Sequence, residues 1–292
     1  MFSPSRIASF IGGMAALAVT VAPGIASAGM ADKDVARMVS FGGACSKCEL
    51  SGRKLAGAQF MGANFAQSSL IGSDLRDARF VGANFSRADL SRADLSDSQM
   101  VGANFGGAVL ADARLRDVEA PGVNFGSADL SRADLRDASA TGGNFARANL
   151  ASAVLQGADL SAANFSKSNG RSANFRDASM TGANLGSGIF DHASFRDADL
   201  TASNLSGATF INADFRGANL QSANIAGVDL SRVKGLDQDQ LDEACADGST
   251  RAPSGLTPKA CHRGVRVKPP APPKPPPPPA PPAKPRYLVA LD

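Results

Sequence analysis

The chain places a large apolar side chain at every fifth position over most of its length. From residue 50 to residue 230 these positions hold Leu, Phe, Met or Ile, with the exceptions of Ala120, Ala140 and Gly170. Two residues before each of them stands Ala in most cases, otherwise Ser, Gly or Val, except for Cys48 and Arg53 at the first two sites. A period of five fits neither the 3.6 residues of a helical turn nor the two-residue alternation of a strand. We therefore interpret the pattern as an internal repeat, in which each pentapeptide forms one side of a continuous coil.

A second period of twenty residues sets the number of sides. One side carries Asn followed by Phe, Leu or Ile in nine successive repeats, whereas no other side keeps such a column. Four pentapeptides therefore complete one coil. We interpret the Asn column as a structural ladder of stacked amides, although a face that binds something flat or periodic is the alternative. The two columns are Asn64, Asn84, Asn104, Asn124, Asn144, Asn164, Asn184, Asn204 and Asn224, and the core phenylalanines Phe65, Phe85, Phe105, Phe125, Phe145 and Phe165.

Runs such as Ala88-Asp89-Leu90 and Ala93-Asp94-Leu95 carry a family resemblance. They resemble the A(D/N)LXX motif of the pentapeptide-repeat family, and the resemblance extends over about 185 residues. It implies an all-β fold, a right-handed quadrilateral β-helix of about nine coils. We place this solenoid at residues 48–233. Members of the family can also dimerise end to end, so a homodimer of this kind is a further expectation.

Two of the exceptions in the apolar pattern lie one coil apart on the same side. Ala120 and Ala140 remove two large side chains from adjacent layers, which predicts either a ligand notch or a repacked irregularity. Val118 and Val123 are larger than the usual Ala and are candidates to refill the space. We favour repacking, and we interpret Gly170 in the same way.

The N-terminus has the plan of a secretory signal peptide. Arg6 precedes an apolar run over residues 7–21, and Ala26-Ser27-Ala28 follows as a cleavage site. The run is too short for a comfortable membrane span. We therefore expect residues 1–28 to be removed and the mature chain to be periplasmic or secreted. Residues 29–47 are expected to form an N-terminal cap or linker.

If the chain is exported, its four cysteines are expected to form disulfides, because disulfides persist in oxidising compartments. Cys45 lies close in sequence to Cys48, and Cys245 lies close to Cys261, so we favour two structural disulfides, one at each end of the repeat. A thiol-disulfide redox centre at the C-x-x-C, or half of a zinc site, are the alternatives. Neither has the sequence context that it requires.

The C-terminal part leaves the repeat. Residues 234–264 are predicted to form a short capping helix, with Asp237 near its start, and a loop closed by cysteines. Residues 265–292 are a basic, proline-rich tail that we interpret as an extended spacer. Residues 247–292 carry eight Lys or Arg and two Asp, whereas residues 49–233 carry 17 basic and 19 acidic residues. The positive charge of the chain is therefore in its tail.

No feature of the sequence indicates catalysis. The inward positions are apolar or small, and the two histidines, His192 and His262, lie in different regions. We predict a non-catalytic exported scaffold, without cofactor or metal, that presents a flat surface to a protein partner and uses its tail as a tether to that partner or to an anionic cell-envelope surface. The alternatives are a DNA-mimicking topoisomerase-binding protein and a C-x-x-C redox protein. We expect no nucleic-acid partner and no transmembrane segment in the mature chain.

Overall fold

The chain winds into a coil whose successive turns stack at a constant register. A computed structural model describes residues 31–39 and 42–260. Backbone bridges join each paired residue to the one twenty positions further on, always in parallel, from Ala44 with Asn64 to Asp214 with Lys234. The stacking begins at Ala44, four residues before the predicted start, because Cys45 already occupies a large inward position. The predicted signal peptide and the tail from residue 265 lie outside the described residues.

Each side of the coil is only as long as the space between two corners allows. In the described part of the chain, pairing consists of isolated bridges five residues apart and contains no longer strand. Two ladder bonds flank each bridge. On the Asn-bearing side, the N–H of Asn64 donates to Gly43 O at 2.9 Å, and the N–H of Phe65 donates to Asn84 O at 2.7 Å. The sheet character therefore comes from hydrogen bonds along the rod and not from extended strands.

Every corner is a β-turn with a residue of positive φ. In one such turn the N–H of Ala63 donates to Phe60 O at 3.1 Å, and Gly62 between them has a φ of 65°. The equivalent position has positive φ at every fifth residue from Gly42 to Gly227, and fewer than half of these residues are Gly. A left-handed conformation costs a residue such as Arg92 about 1 kcal/mol. Hydrogen bonds to both neighbouring coils hold each corner in this conformation.

The interior is filled by one large and one small side chain from every pentapeptide. The phenyl rings of the Asn-bearing side stack along the axis, with centroids 4.8 Å apart between Phe65 and Phe85 and 4.7 Å apart between Phe145 and Phe165. All six rings of this column are at most 1 % exposed. Stacked rings one coil apart therefore form a continuous apolar column.

Gly170 replaces a large inward residue because a ring from the next coil takes its place. A Cβ atom on Gly170 would lie 2.5 Å from Cδ1 of Phe190. On the other side of the same ring, a Cβ atom on Gly188 would lie 2.5 Å from Cε2. The two glycines and the ring thus form one packing unit, and the irregularity leaves no gap.

The first coil is covered by helix α1, Asp32–Val39. Val35 and Val39 are buried against the apolar core. The Asp32 carboxylate accepts hydrogen bonds from the Arg53 guanidinium at 3.1 Å and from the Lys54 N–H at 3.2 Å. A backbone donor at the end of the ladder is therefore satisfied by a side chain from the helix.

At the other end, helix α2, Gln238–Glu243, replaces one side of the last coil. It begins with a capping box between Asp237 and Gln240. The Gln240 amide donates to Phe215 O at 2.9 Å and to Ala218 O at 2.7 Å. The bond to Ala218 O thus supplies the donor that a further rung would have supplied, whereas Phe215 O also accepts the turn bond from the Ala218 N–H.

The last coil continues after helix α2. Stacking resumes after it, because Cys245 pairs with Asn224, Arg251 pairs with Asp229, and Ala260 pairs with Ala246. A partial coil therefore covers the C-terminal end beyond the helix.

Candidate interaction surface

The Asn column forms a continuous amide ladder along one side of the rod. Each Nδ2 donates to Oδ1 of the Asn one coil earlier, at distances from 2.8 Å between Asn124 and Asn104 to 3.5 Å between Asn164 and Asn144. Each Oδ1 also accepts the backbone N–H two residues later, as in the 3.1 Å bond from Ala66 to Asn64. The carbonyl oxygens are therefore satisfied within the protein, and one N–H of each amide remains outside the ladder.

The Asn-bearing side and the corner that precedes it carry no charge. This uncharged stripe comprises residues 61, 62 and 64 and their equivalents in every later coil, ending at residues 221, 222 and 224. None of these positions holds Asp, Glu, Lys, Arg or His. The remaining outward positions accommodate nearly all of the 17 basic and 19 acidic residues between positions 49 and 233. The stripe is visible in the sequence when charged residues are followed at a period of twenty, but the five-residue motif alone does not show it.

The stripe is smooth as well as uncharged. Gly82, Gly102 and Gly122 line its corner, and a Cβ atom on any of them would meet nothing within 4 Å. Beside these glycines, Met61 is 39 % exposed, and the later coils place partly exposed apolar residues at the same position. The apolar end of the corner comprises Met61, Val81, Val101 and Pro121. Burying this corner costs little desolvation, because it carries no charge and the carbonyl oxygens of the neighbouring amides already have partners.

The other sides carry charges that neutralise one another. Arg136 pairs with Asp134 at 2.7 Å, and Arg132 pairs with Asp112 of the previous coil at 2.7 Å. The Arg76 guanidinium holds the pKa of the Asp74 carboxyl below its usual value. Exposed pairs of this kind contribute about 0–1 kcal/mol each. We interpret these sides as a solvated surface.

The position of the predicted notch is filled. Ala120 is 0 % exposed and Ala140 is 1 % exposed, so neither lines an open depression. The rings of Phe125 and Phe145 are tilted by 31° relative to each other, whereas three of the other four pairs in the column lie within 10° of parallel. A Cβ atom on Gly143 would lie 3.0 Å from Cε2 of Phe145 and 3.4 Å from Cγ1 of Val123. The Phe145 ring and the Val123 side chain therefore pack against the backbone next to Ala140.

The cysteines of the first coil are bonded and buried. Cys45 and Cys48 form a disulfide, and they are 1 % and 7 % exposed. They occupy the large and small inward positions of one corner, so the bond takes the place of a Phe–Ala pair in the core. Cys245, which follows helix α2, is also disulfide-bonded, as predicted. Cys261 lies outside the described residues, so its predicted role as the partner of Cys245 remains a prediction.

The described residues contain no arrangement of chemical groups that resembles a reaction centre. Across residues 31–39 and 42–260, no group of three His, Cys, Asp or Glu side chains is placed to hold a metal ion. His192 is an exposed corner residue with a φ of 61°. Neither helix in this part of the chain is long and apolar enough to cross a membrane.

The comparisons with known proteins agree with this geometry. The pentapeptide repeats model matches in eight copies, which together span residues 45–186 and 193–232. No curated protein sequence gives a significant match. Among solved structures, HetL, a pentapeptide repeat protein involved in heterocyst differentiation regulation from the cyanobacterium Nostoc sp. strain PCC 7120, is 25% identical and has a TM-score of 0.60. The match covers 76% of this chain and 94% of HetL.

Two further structures share the repeat with lower structural similarity. A trypsin-treated form of QnrB1, a plasmid-mediated fluoroquinolone resistance protein, is 21% identical with a TM-score of 0.32, and the match covers 70% of this chain and 89% of QnrB1. A pentapeptide repeat protein from the Arabidopsis thaliana thylakoid lumen is 25% identical with a TM-score of 0.13, and the match covers 50% of this chain and 70% of that protein. Pentapeptide repeat proteins are in general non-catalytic structural and interaction proteins. Since the family model matches more than half of the chain, the protein belongs to the pentapeptide repeat family.

Proposed function

We propose that the protein is an exported, non-catalytic scaffold that contacts a protein partner through the uncharged stripe and uses its proline-rich tail as a tether. We take its coil to be right-handed with about nine turns, as the family resemblance implies. The observation that carries the proposal is the segregation of charge. A rod with charges on most of its outward columns keeps one side and one corner free of them along its whole length.

A surface of this kind favours protein contact over catalysis. The carbonyl oxygens of its amides are satisfied within the ladder, so a partner has to accept only the one remaining N–H of each amide, and the apolar corner supplies area that gains from burial. Interface cores are depleted in charged residues in the same way. By contrast, ligand sites for small molecules are concave, and this side is flat.

The two alternative functions have less support. A mimic of duplex DNA needs a strongly acidic rod, whereas this rod carries 17 basic and 19 acidic residues between positions 49 and 233. A redox centre needs an accessible sulfur, whereas the more exposed of the two bonded cysteines, Cys48, is only 7 % exposed. Neither alternative is favoured by a specific contact in the described residues.

The stripe can be tested with charge placed on it. Val101, Thr141 and Thr181 occupy the first position of their corners, where Val101 is partly exposed and the two threonines are exposed. The variant Val101→Lys, Thr141→Lys, Thr181→Lys should lose at least tenfold in affinity for a partner cross-linked from the cell envelope. The matched control, Ser91→Lys, Ala111→Lys, Ala151→Lys, alters the equivalent positions of the opposite corner. Equal loss in both variants would contradict the stripe as the contact.

Export and tethering are tested separately. A reporter fused to residues 1–40 should leave the cytoplasm, and the mature chain should begin at Gly29. Deletion of residues 266–292 should reduce retention at the envelope, with a salt-dependent contribution from the basic residues. Retention that is unchanged by both the deletion and high salt would refute an anchoring role for the tail.

A further inference from the structure

The proline-rich tail has a regular three-residue pattern. From residue 269 to residue 286 it reads as six triplets, Pro-Pro-Ala, Pro-Pro-Lys, Pro-Pro-Pro, Pro-Pro-Ala, Pro-Pro-Ala and Lys-Pro-Arg. A polyproline II helix has three residues per turn, so equivalent positions of the triplets lie on one edge of the helix. Two edges are then proline almost without interruption, and the third carries Ala, Lys and Arg. A sequence that only needed to be extended would not require this order.

The period of the tail matches that of the rod. Three residues of polyproline II advance about 9.3 Å, and two coils of the rod advance about 9.6 Å at strand spacing. The stripe, from residue 61 to residue 224, is about 40 Å long at this spacing. The proline segment 269–285 can span about 53 Å when extended. Tail and stripe are therefore commensurate, and the tail is long enough to cover the stripe.

Their hydrogen-bonding groups are complementary. Proline carries a carbonyl acceptor and no N–H, and 12 of the 17 residues between positions 269 and 285 are proline. The Asn ladder has spare donors instead of spare acceptors. Its carbonyl oxygens already accept hydrogen bonds within the protein, while each Nδ2 keeps one N–H outside the ladder. The smooth glycine corner lets an extended chain approach the backbone closely.

The described chain ends next to the stripe. Cys245 pairs with Asn224, the last residue of the Asn column, and Ala260 pairs with Ala246, which follows Cys245. Residue 260 thus lies at the C-terminal end of the Asn-bearing side. The eight residues 261–268 then separate this point from the first proline, which is enough for the chain to reverse its direction.

The charges at one border of the stripe also fit the tail. Residues 261–292 carry six Lys or Arg and one Asp. On the side adjoining the apolar corner, Asp159 and Asp199 lie two coils apart. Hydrogen bonds from Ser161 and, to a lesser extent, Thr141 lower the pKa of Asp159 although burial opposes them. Burial raises the pKa of Asp199, but the bonds from Thr201 and Thr181 together outweigh it and lower the pKa. These two carboxylates therefore favour a basic segment along the later coils of the stripe, whereas Arg79 in the same column does not favour one along the first coils.

We propose that the proline-rich tail, residues 269–285, folds back as a polyproline II helix and covers the uncharged stripe of its own rod. A short tether gives an effective concentration of about 1 mM, so a contact with an intrinsic dissociation constant near 0.1 mM keeps the tail docked about nine-tenths of the time. A partner that binds the stripe then has to displace the tail. The released tail is free to act as the tether, so docking goes beyond the proposed function and does not depend on it.

The chain carries its own reporter for this docking. Tyr287 is the only tyrosine and the chain contains no tryptophan, so the ultraviolet-excited emission comes from the tail. In the full-length mature protein, the anisotropy of Tyr287 should decay with a slow component set by tumbling of the rod. The lysine variant at Val101, Thr141 and Thr181 should lower the ratio of docked to free tail at least tenfold. The control at Ser91, Ala111 and Ala151 should leave it unchanged.

A second variant separates the proline helix from charge. Replacing Pro272, Pro275, Pro278 and Pro281 by Gly removes one proline edge and keeps the length and charge of the tail. This variant should also lose the slow component, while high salt should reduce it only in part. Complete loss in high salt with no effect of the glycine variant would show a non-specific ionic contact and overturn the proposal.

The remaining outcomes also decide the question. If Tyr287 in the wild-type protein is as mobile as in a synthetic peptide of residues 262–292, the tail does not dock. If the slow component grows with protein concentration and sedimentation shows a dimer, the occupant of the stripe is a second copy. Both results are independent of the partner experiment, because they use the purified protein alone.

Discussion

Gly170 should tolerate no larger side chain, because the ring of Phe190 already fills the space that such a side chain needs. A Cβ atom on Gly170 would lie 2.5 Å from Cδ1 and 2.7 Å from Cε1 of that ring. Non-bonded carbon atoms approach to about 3.5–4.0 Å. The variant Gly170→Ala therefore forces the ring or the backbone to move by about 1 Å.

The ring has no room to retreat. Gly188 lies against its opposite edge, Phe210 stacks on it with centroids 5.7 Å apart, and Phe195 contacts it edge to face at 5.8 Å. Gly170 does not have a positive φ, so alanine brings no backbone strain there. Overpacking then sets the cost, about 1–3 kcal/mol. For a domain of this size, each kcal/mol lowers Tm by about 2–4 °C.

A double-mutant cycle tests the packing unit directly. The variant Gly170→Leu should be more destabilised than Gly170→Ala, whereas Gly170→Leu combined with Phe190→Leu restores a leucine at both positions of the column. The double variant should be more stable than Gly170→Leu alone, with a coupling of about 1–3 kcal/mol. Stability is measured by urea unfolding followed by circular dichroism, with the slope checked for each variant.

The control for this cycle is Gly248→Ala, since a Cβ atom at Gly248 meets nothing within 4 Å and its φ is not positive. We expect this variant to be neutral or slightly stabilised. The reasoning is refuted if Gly170→Ala unfolds at the same urea concentration as the wild type, or if the two leucine substitutions are additive.

Three further predictions concern the ladder and the C-terminal end. Gln240→Leu leaves the Ala218 carbonyl without its donor, whereas the Phe215 carbonyl keeps the Ala218 N–H at 3.1 Å, so the variant should lose about 1–3 kcal/mol of stability, seen as faster hydrogen exchange confined to the last coils. Asn144→Ala should lower the free energy of unfolding by about 1–2 kcal/mol more than Asn174→Ala does. Both side chains accept the backbone N–H two residues later, but only Asn144 belongs to the amide ladder. Equal losses in the two variants would show that the ladder does not stabilise the rod. Hydrogen bonds from Ser249, Gly227 and Thr250 lower the pKa of Asp247 to about 2. The stability that the ionised carboxylate contributes is therefore complete above about pH 4 and is lost as the pH falls toward 2. Asp247→Asn should abolish this part of the pH dependence of the urea midpoint.

Much of the fold follows from periodicity, because each coil repeats the same local problem. A large inward residue every fifth position requires a corner after every pentapeptide, and the Asn column every twentieth position requires four sides. Each inward residue packs against the residue twenty positions away in the next coil, which is in most cases of similar size. The local sequence pattern therefore also predicts the long-range contacts in this architecture. The inward positions were therefore predictable one by one.

The exceptions were not predictable, because they depend on contacts between coils. Gly170 interrupts the apolar column, and only the position of the Phe190 ring explains it. For the alanines at 120 and 140 the sequence favoured repacking over a notch, but only the positions of Phe145 and Val123 beside Gly143 show how side chains pack there.

The sequence by itself determined the square coil, its register of twenty residues and the division of outward positions into charged and uncharged columns, because these depend only on residue type and spacing. Tertiary structure alone decided how the ends are closed. The amide of Gln240 lies within hydrogen-bonding distance of two carbonyls of the preceding coil only because helix α2 is seated on the last side of the rod. Periodicity carries no information where the repeat stops, so each terminal backbone group has to find an individual partner.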